Sequence, residues 1–245
     1  MICNYSDFLR ELQAAGFSQF GGSRDMLVSL FLYGWNTQPE DYPVQWFSGD
    51  PDRDPWHWRE RVLTEQAGIA YGKFFFKKHG FITREWFPHF LAARRQGRDF
   101  DEAYADGLFS REAKRVYDCL RENGALAVHE IKPMAGFGRE GKSAFERALA
   151  ELQTGLYITV SGHAQKVSRA GERYGWASDV YCLVEEFWPA DVFELAEQLE
   201  PEEAAEKIEA QVYVINPGAQ AKQVRKFIYG YPGLCCTKCR KANSV

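Results

Sequence analysis

Seven residues within thirteen positions, Trp46, Asp50, Asp52, Asp54, Trp56, His57 and Trp58, set flat aromatic rings beside carboxylates. Chemistry on a base taken out of a nucleic-acid stack needs both. A ring holds the extruded base, and a carboxylate stabilises a cationic sugar or directs a water. Trp46, Trp56 and Trp58 are therefore the candidate stacking pocket, and Asp50 and Asp54 the candidate catalytic carboxylates. The same residues have structural uses. Asp54-Pro55 is a strong helix start: Asp caps free backbone N–H groups, and Pro sits where its missing N–H costs nothing. Asp50-Pro51 suits a turn.

Basic residues form two further groups. Lys73, Lys77, Lys78, Arg84, Arg94, Arg95 and Arg98 are interleaved with Phe74, Phe75 and Phe76, a combination found on nucleic-acid surfaces. Phe runs also build cores, and Arg stems cover apolar surface. Lys142 and Arg147 share one face of a helix pattern, and Lys166, Arg169 and Arg173 crowd a segment between two apolar runs. From these groups Lys73, Lys77, Lys78, Arg94, Arg95, Lys142, Arg147, Lys166, Arg169 and Arg173 are the candidate DNA contacts. Glu146 and Glu151 beside the helix's basic residues would repel phosphate.

The elements that must position these groups follow from pattern and caps. Ser6 can start a first helix through about Ala15. A helix from Pro55 to about Ala70 follows the Asp54 cap. Phe74–Phe76 with Phe81 and Ile82 read as an aromatic connection, and Thr83 can cap a helix through about Gln96. Asp99 with Glu102 is a capping box. Ser110 opens a helix with Ala113, Val116, Tyr117 and Leu120 on one face, ending at Gly124. Then come a short element over 125–132, a turn over 133–141, a helix Lys142–Thr154, and strands over 156–160 and 180–187 joined by a long basic loop. This order predicts a winged helix, a helix-turn-helix variant that docks on DNA. Two helices around Pro217-Gly218 could be half of a second one. The expected fold class is mainly α with a small antiparallel β hairpin, a winged helix, single or tandem. The expected organisation is a helical region over 1–98, a winged-helix domain over 99–188, a helical segment over 189–230 and a tail over 231–245.

Composition bounds the rest. A chain of 245 residues with 15% aromatics and seven Trp can bury a sizeable core. No apolar run is long enough for a membrane span and no signal peptide is read, so a cytoplasmic protein without a membrane partner is expected. Scattered Cys fit reduced thiols. Cys236 and Cys239 have metal-site spacing, but one pair supplies only two ligands, so with Cys235 they read as exposed thiols. Neither a metal nor a cofactor is expected, since there is no Gly-rich phosphate loop and no nucleophile elbow. The net charge is −4 but unevenly spread: −4 over 38–55, +6 over 71–98 and −9 over 185–209. The acidic stretches can mask the basic ones.

Several local strings resemble one family. They are Trp46 through Gly49-Asp50-Pro51, Asp54-Pro55-Trp56, Tyr71-Gly72-Lys73, Phe81-Ile82, Arg84-Glu85-Trp86, Phe90 through Arg95, His129-Glu130-Ile131-Lys132 and Phe145 through Gln153. Together they resemble a bacterial group described as AlkZ-related, over about residues 45–230. The group looks like a shortened relative of the AlkZ/YcaQ DNA glycosylases, which use tandem winged helices and a small β-barrel to cut alkylated or crosslinked bases from DNA. The resemblance implies double-stranded DNA as partner and a link to DNA repair. The glycosylases place a Gln-x-Gln or Gln-x-Asp pair to position the attacking water, and neither pair is present. Gln45-Trp46-Phe47 has only the first member, so no catalytic residue is carried over. Three readings stay open: a DNA-binding protein, an active glycosylase, and a protein-interaction module without a DNA role.

Overall fold

Asn4, rather than Ser6, caps the first helix α1 (Tyr5–Ala15): its side chain accepts the Asp7 N–H. Gly16 ends it at a positive φ, and a Cβ there would collide with the Trp86 ring. The computed structural model describes residues 1–22, 26–65, 67–168 and 170–230. Arg169 and the Cys235, Cys236, Cys239 group lie outside the described residues.

The chain continues through β1 (Phe17–Gln19), α2 (Pro55–Thr64), β2 (Ile69–Phe75), β3 (Lys78–Thr83), α3 (Phe87–Arg95) and α4 (Phe100–Ala105). Next come α5 (Arg111–Asn123), β4 (Leu126–Ala127), α6 (Val128–Met134), α7 (Lys142–Thr154), β5 (Ile158–Val167) and β6 (Arg173–Leu183). A short α8 (Val184–Phe187), α9 (Ala190–Glu197), α10 (Pro201–Ile215) and α11 (Ala221–Tyr229) complete it. The caps at Asp54 and Ser110 and the capping box at Asp99 are formed.

The expectation of a mainly helical protein with a small hairpin is corrected. Six strands form one antiparallel sheet in the order β1-β3-β2-β5-β6-β4, with helices on both faces. Strand β2 escaped the pattern because it is buried on both sides. Such a strand is a near-continuous apolar run without alternation, so it resembles a connection. The supposed basic loop after residue 160 is paired strand for most of its length. The winged-helix description, single or tandem, falls with this. Strands β5 and β6 are inner strands of a continuous sheet, and among the described residues no strand follows α10 and α11. Among the same residues no helix is long and apolar enough to cross a membrane.

Strand register sorts the core into two layers. Tyr71, Phe81, Val160 and Tyr181 line one face, under Phe8 and Leu12 of α1 and Trp58 and Val62 of α2. Ala70, Phe74 and Ile82 line the other, against α3, α10 and α11. There Phe75 and Phe227 stack at 4.1 Å. Arg94 of α3 is wholly buried in this second layer. Its guanidinium donates to the carbonyls of Ile228 (2.7 Å), Phe227 (2.8 Å), Thr154 (2.8 Å) and Phe74 (3.1 Å). Three of these oxygens end helices α7 and α11, where carbonyls lack helical partners and carry the negative end of the dipole.

Two buried histidines make this fold acid-sensitive. Burial pushes His79 and His89 down to about 4. His79 lies flat on Tyr71, and His89 Nε2 accepts from Lys207 Nζ at 2.8 Å. The unfolded chain therefore takes up protons below the ordinary histidine value, and the folded chain does not until about pH 4. Stability should be full above about pH 6.5 and fall between there and about pH 4, by up to about 1.4 kcal/mol per pH unit per histidine. Urea unfolding at a series of pH values checks this, and an unchanged midpoint between about pH 7 and 4.5 would contradict it.

Candidate nucleic-acid interface

The acidic-aromatic segment is first of all a scaffold. Asp54 is 1% exposed, and its carboxylate accepts from the backbone N–H groups of Phe47, Trp56 and Gly49 at 2.9 to 3.1 Å. It staples the loop to the start of α2, with three of its acceptor positions already taken. Asp50 is exposed and accepts the Asp52 N–H, closing a turn. Trp58 is fully buried against Phe8 and cannot meet a ligand. Trp46 is half-buried beside Phe20 and Phe31, its Nε1 donating to the Tyr33 carbonyl. Of these three indoles, Trp56 alone reaches solvent substantially. Arg59 lies 3.9 Å over its ring, and exposed Phe47 is 5.2 Å away.

The structure brings together a polar group that sequence reading missed. His163 of β5 and Asp179 of β6 are direct cross-strand partners. His163 Nε2 is 3.2 Å from Asp179 Oδ1, and Arg59 Nη1 is 2.5 Å from the same nitrogen and 3.9 Å from the carboxylate. Tyr181 Oη donates to Asp179 Oδ2 at 3.3 Å. Register places Tyr71 and His79 on the same face. Burial works against an ionised Asp179, but the His163 hydrogen bond, with the nearby Arg59 charge, outweighs it and holds the carboxyl below its usual value. Burial, with the charge of Asp179, pushes the Tyr181 phenol well up, so it stays protonated as a donor. His79 Nε2 and Arg59 Nε are buried without partners. The Asp179 side chain is 24% exposed, so the cluster opens to solvent. A β-bulge at Ser161 sits next to it, a device that re-aims side chains at functional sites. Among the described residues no three His, Cys, Asp or Glu side chains are placed to hold a metal ion.

The basic groups divide sharply. Arg94 is in the core and cannot touch a phosphate. Arg95 is held by Glu185 (2.6 Å) and the Leu156 carbonyl, Arg84 by Asp191 and Arg98 by Asp106. The basic ridge read from sequence is thus largely neutralised in place. Lys73 is half-buried on β2, and Lys77 and Lys78 are exposed at the β2–β3 turn. Lys142 is exposed and 3.8 Å from Glu146. Arg139, Arg147, Lys166 and Arg173 are exposed, and none forms an ion pair among the described residues. His129 Nδ1, 2.9 Å from Ser178 Oγ, ties α6 to the β5–β6 hairpin that carries Lys166 and Arg173.

The far half of that hairpin has left the sheet and stands in solvent. Val167 is 60%, Tyr174 53% and Trp176 97% exposed. No spacing rule marked Trp176. The available signal was an aromatic between Gly175 and Ala177 in a basic stretch.

The fold and the two groups on it are those of an antiparallel sheet, helix-covered on both faces, with a cationic hairpin at one end and a buried acid–base cluster at the hairpin's root. The chain matches the family described as AlkZ related over residues 2–229, and it belongs to that family. No curated protein and no solved structure matches it.

Proposed function

We infer that this protein binds double-stranded DNA through the β5–β6 hairpin, helix α7 and the turn at Arg139 that precedes it, in a role linked to DNA repair. The observation that carries the reading is the unneutralised charge of Arg139, Arg147, Lys166 and Arg173, set against the ridge arginines Arg84, Arg95 and Arg98, which are paired, and Arg94, which is buried. Phosphates are neutralised by cations free to meet them, whereas a cation already paired contributes little. Membership of the AlkZ-related family supports the same direction. Reversing both hairpin charges (Lys166→Glu with Arg173→Glu) should weaken duplex binding at low salt by at least about tenfold. Arg98→Ala, which removes a cation engaged by Asp106, should change it less than about twofold. Fluorescence anisotropy measures both, and equal losses would contradict the assignment.

Base excision is the enzymatic form of this reading, and the Asp179 cluster favours it. The sequence asked for an aromatic wall and a carboxylate. Trp56 and Asp179, bridged by Arg59, supply them in place of Asp50 and Asp54. In such a reaction a water oxygen bonds to C1′ of the sugar and its proton passes to Asp179. The C1′–N bond breaks, and its electron pair leaves with the base.

A further inference from the structure

Trp176 is exposed by construction. On β5, Ala164 pairs with Ser178 and Lys166 with Tyr174, so residues 175–177 of β6 stand opposite the single residue Gln165. The extra residues bulge outward. Gly175 takes a positive φ of 74°, which an L side chain rarely adopts, and Gln165 Nε2 donates to its carbonyl at 3.0 Å, closing the bulge. The indole that follows is 97% exposed and stacks on no other ring among the described residues. A bulge is the usual device for re-aiming one side chain out of a ladder. An indole held wholly in water gains nothing for the fold. Elsewhere in the chain Trp58, Trp86 and Trp188 are buried, and the other open indoles, Trp35 at 66% and Trp56 at 41%, are less exposed.

The surroundings name the partner's chemistry. Lys166 and Arg173 flank the bulge with exposed cations, and the 165–176 segment carries a net charge of +2. Tyr174, 53% exposed, lies two residues before Trp176. A free aromatic face framed by cations suits a nucleobase joined to phosphate. Paired bases within an intact duplex offer no free face, so the occupant must be unstacked.

We propose that Trp176 stacks on an unpaired base, so that the hairpin selects DNA whose duplex is locally opened over intact duplex. This rests on the DNA-binding reading above. Stacking on an aromatic side chain contributes about 1–3 kcal/mol per base, which corresponds to a preference of about tenfold or more.

The test compares two fluorescent duplexes of one sequence, fully paired or carrying a single bulged 2-aminopurine. Wild-type protein should bind the bulged duplex at least about tenfold more tightly, with quenching of the 2-aminopurine. Trp176→Ala should lose that preference and the quenching while keeping its affinity for the paired duplex within about twofold. Trp176→Phe should keep part of both. A wild-type protein that binds both duplexes equally, or a Trp176→Ala variant with the preference intact, overturns the inference and leaves DNA binding standing. Binding to neither duplex at low salt overturns both readings, and a protein partner then becomes the occupant of the hairpin.

Discussion

Replacing Arg94 by methionine should destabilise the protein by about 3–5 kcal/mol, the largest single loss expected outside the apolar core. Methionine fills similar volume, so the loss is not a cavity effect. The guanidinium is held with no carboxylate partner, by four carbonyls from β2, α7 and α11. Burial pulls its pKa down to about 9, still above neutrality, so the charge persists and each carbonyl receives a charge-assisted bond. Removing the donors leaves four buried oxygens unpaired and releases the ends of two helices. Arg94→Lys, with a compact ammonium in place of a planar fork, should recover only part of the loss. Urea unfolding at neutral pH measures it, and a loss under about 1 kcal/mol would show that the carbonyls find other donors.

Asp179→Asn should lower base release by at least about a hundredfold, the range set by removing a general base. Asparagine keeps the shape and can still accept from Tyr181, so duplex affinity should stay within about threefold. A labelled duplex with one N7-alkylated guanine suits the assay, because a cationic base leaves without a proton and the cluster then needs to supply only its basic function. Release is read as strand cleavage at the resulting abasic site under alkali. Equal rates in variant and wild type, or no release by either, would set excision aside and leave binding intact.

Capping chemistry was legible in the sequence because it is local. Asp54, Asp99 and Ser110 each bond within a few residues of their own position. The helix over 142–154 was legible for the same reason, through its apolar stripe. The sheet was not. Ile69–Phe75 is buried on both faces and shows no alternation, and of its two neighbours, both later in the chain, β3 follows directly while β5 comes only after several helices. The acid–base cluster was invisible because Arg59 and His163 are 104 positions apart, and only strand register sets His163 against Asp179. The carboxylates marked from sequence, Asp50 and Asp54, are occupied in holding their own loop. The hairpin residues Lys166 and Arg173 were marked from sequence as cations. That the ridge cations would be paired was not, since Arg84 meets Asp191 across 107 positions.

Titration of the full chain against a fluorescent paired duplex at several salt concentrations tests the central claim most directly. Four free cations predict log affinity falling with log salt at a slope of about −3 to −4. The charge-reversed hairpin should flatten that slope. Failure to bind at about 50 mM salt, or an affinity indifferent to salt, would contradict the DNA interface and leave a module whose hairpin serves a protein partner.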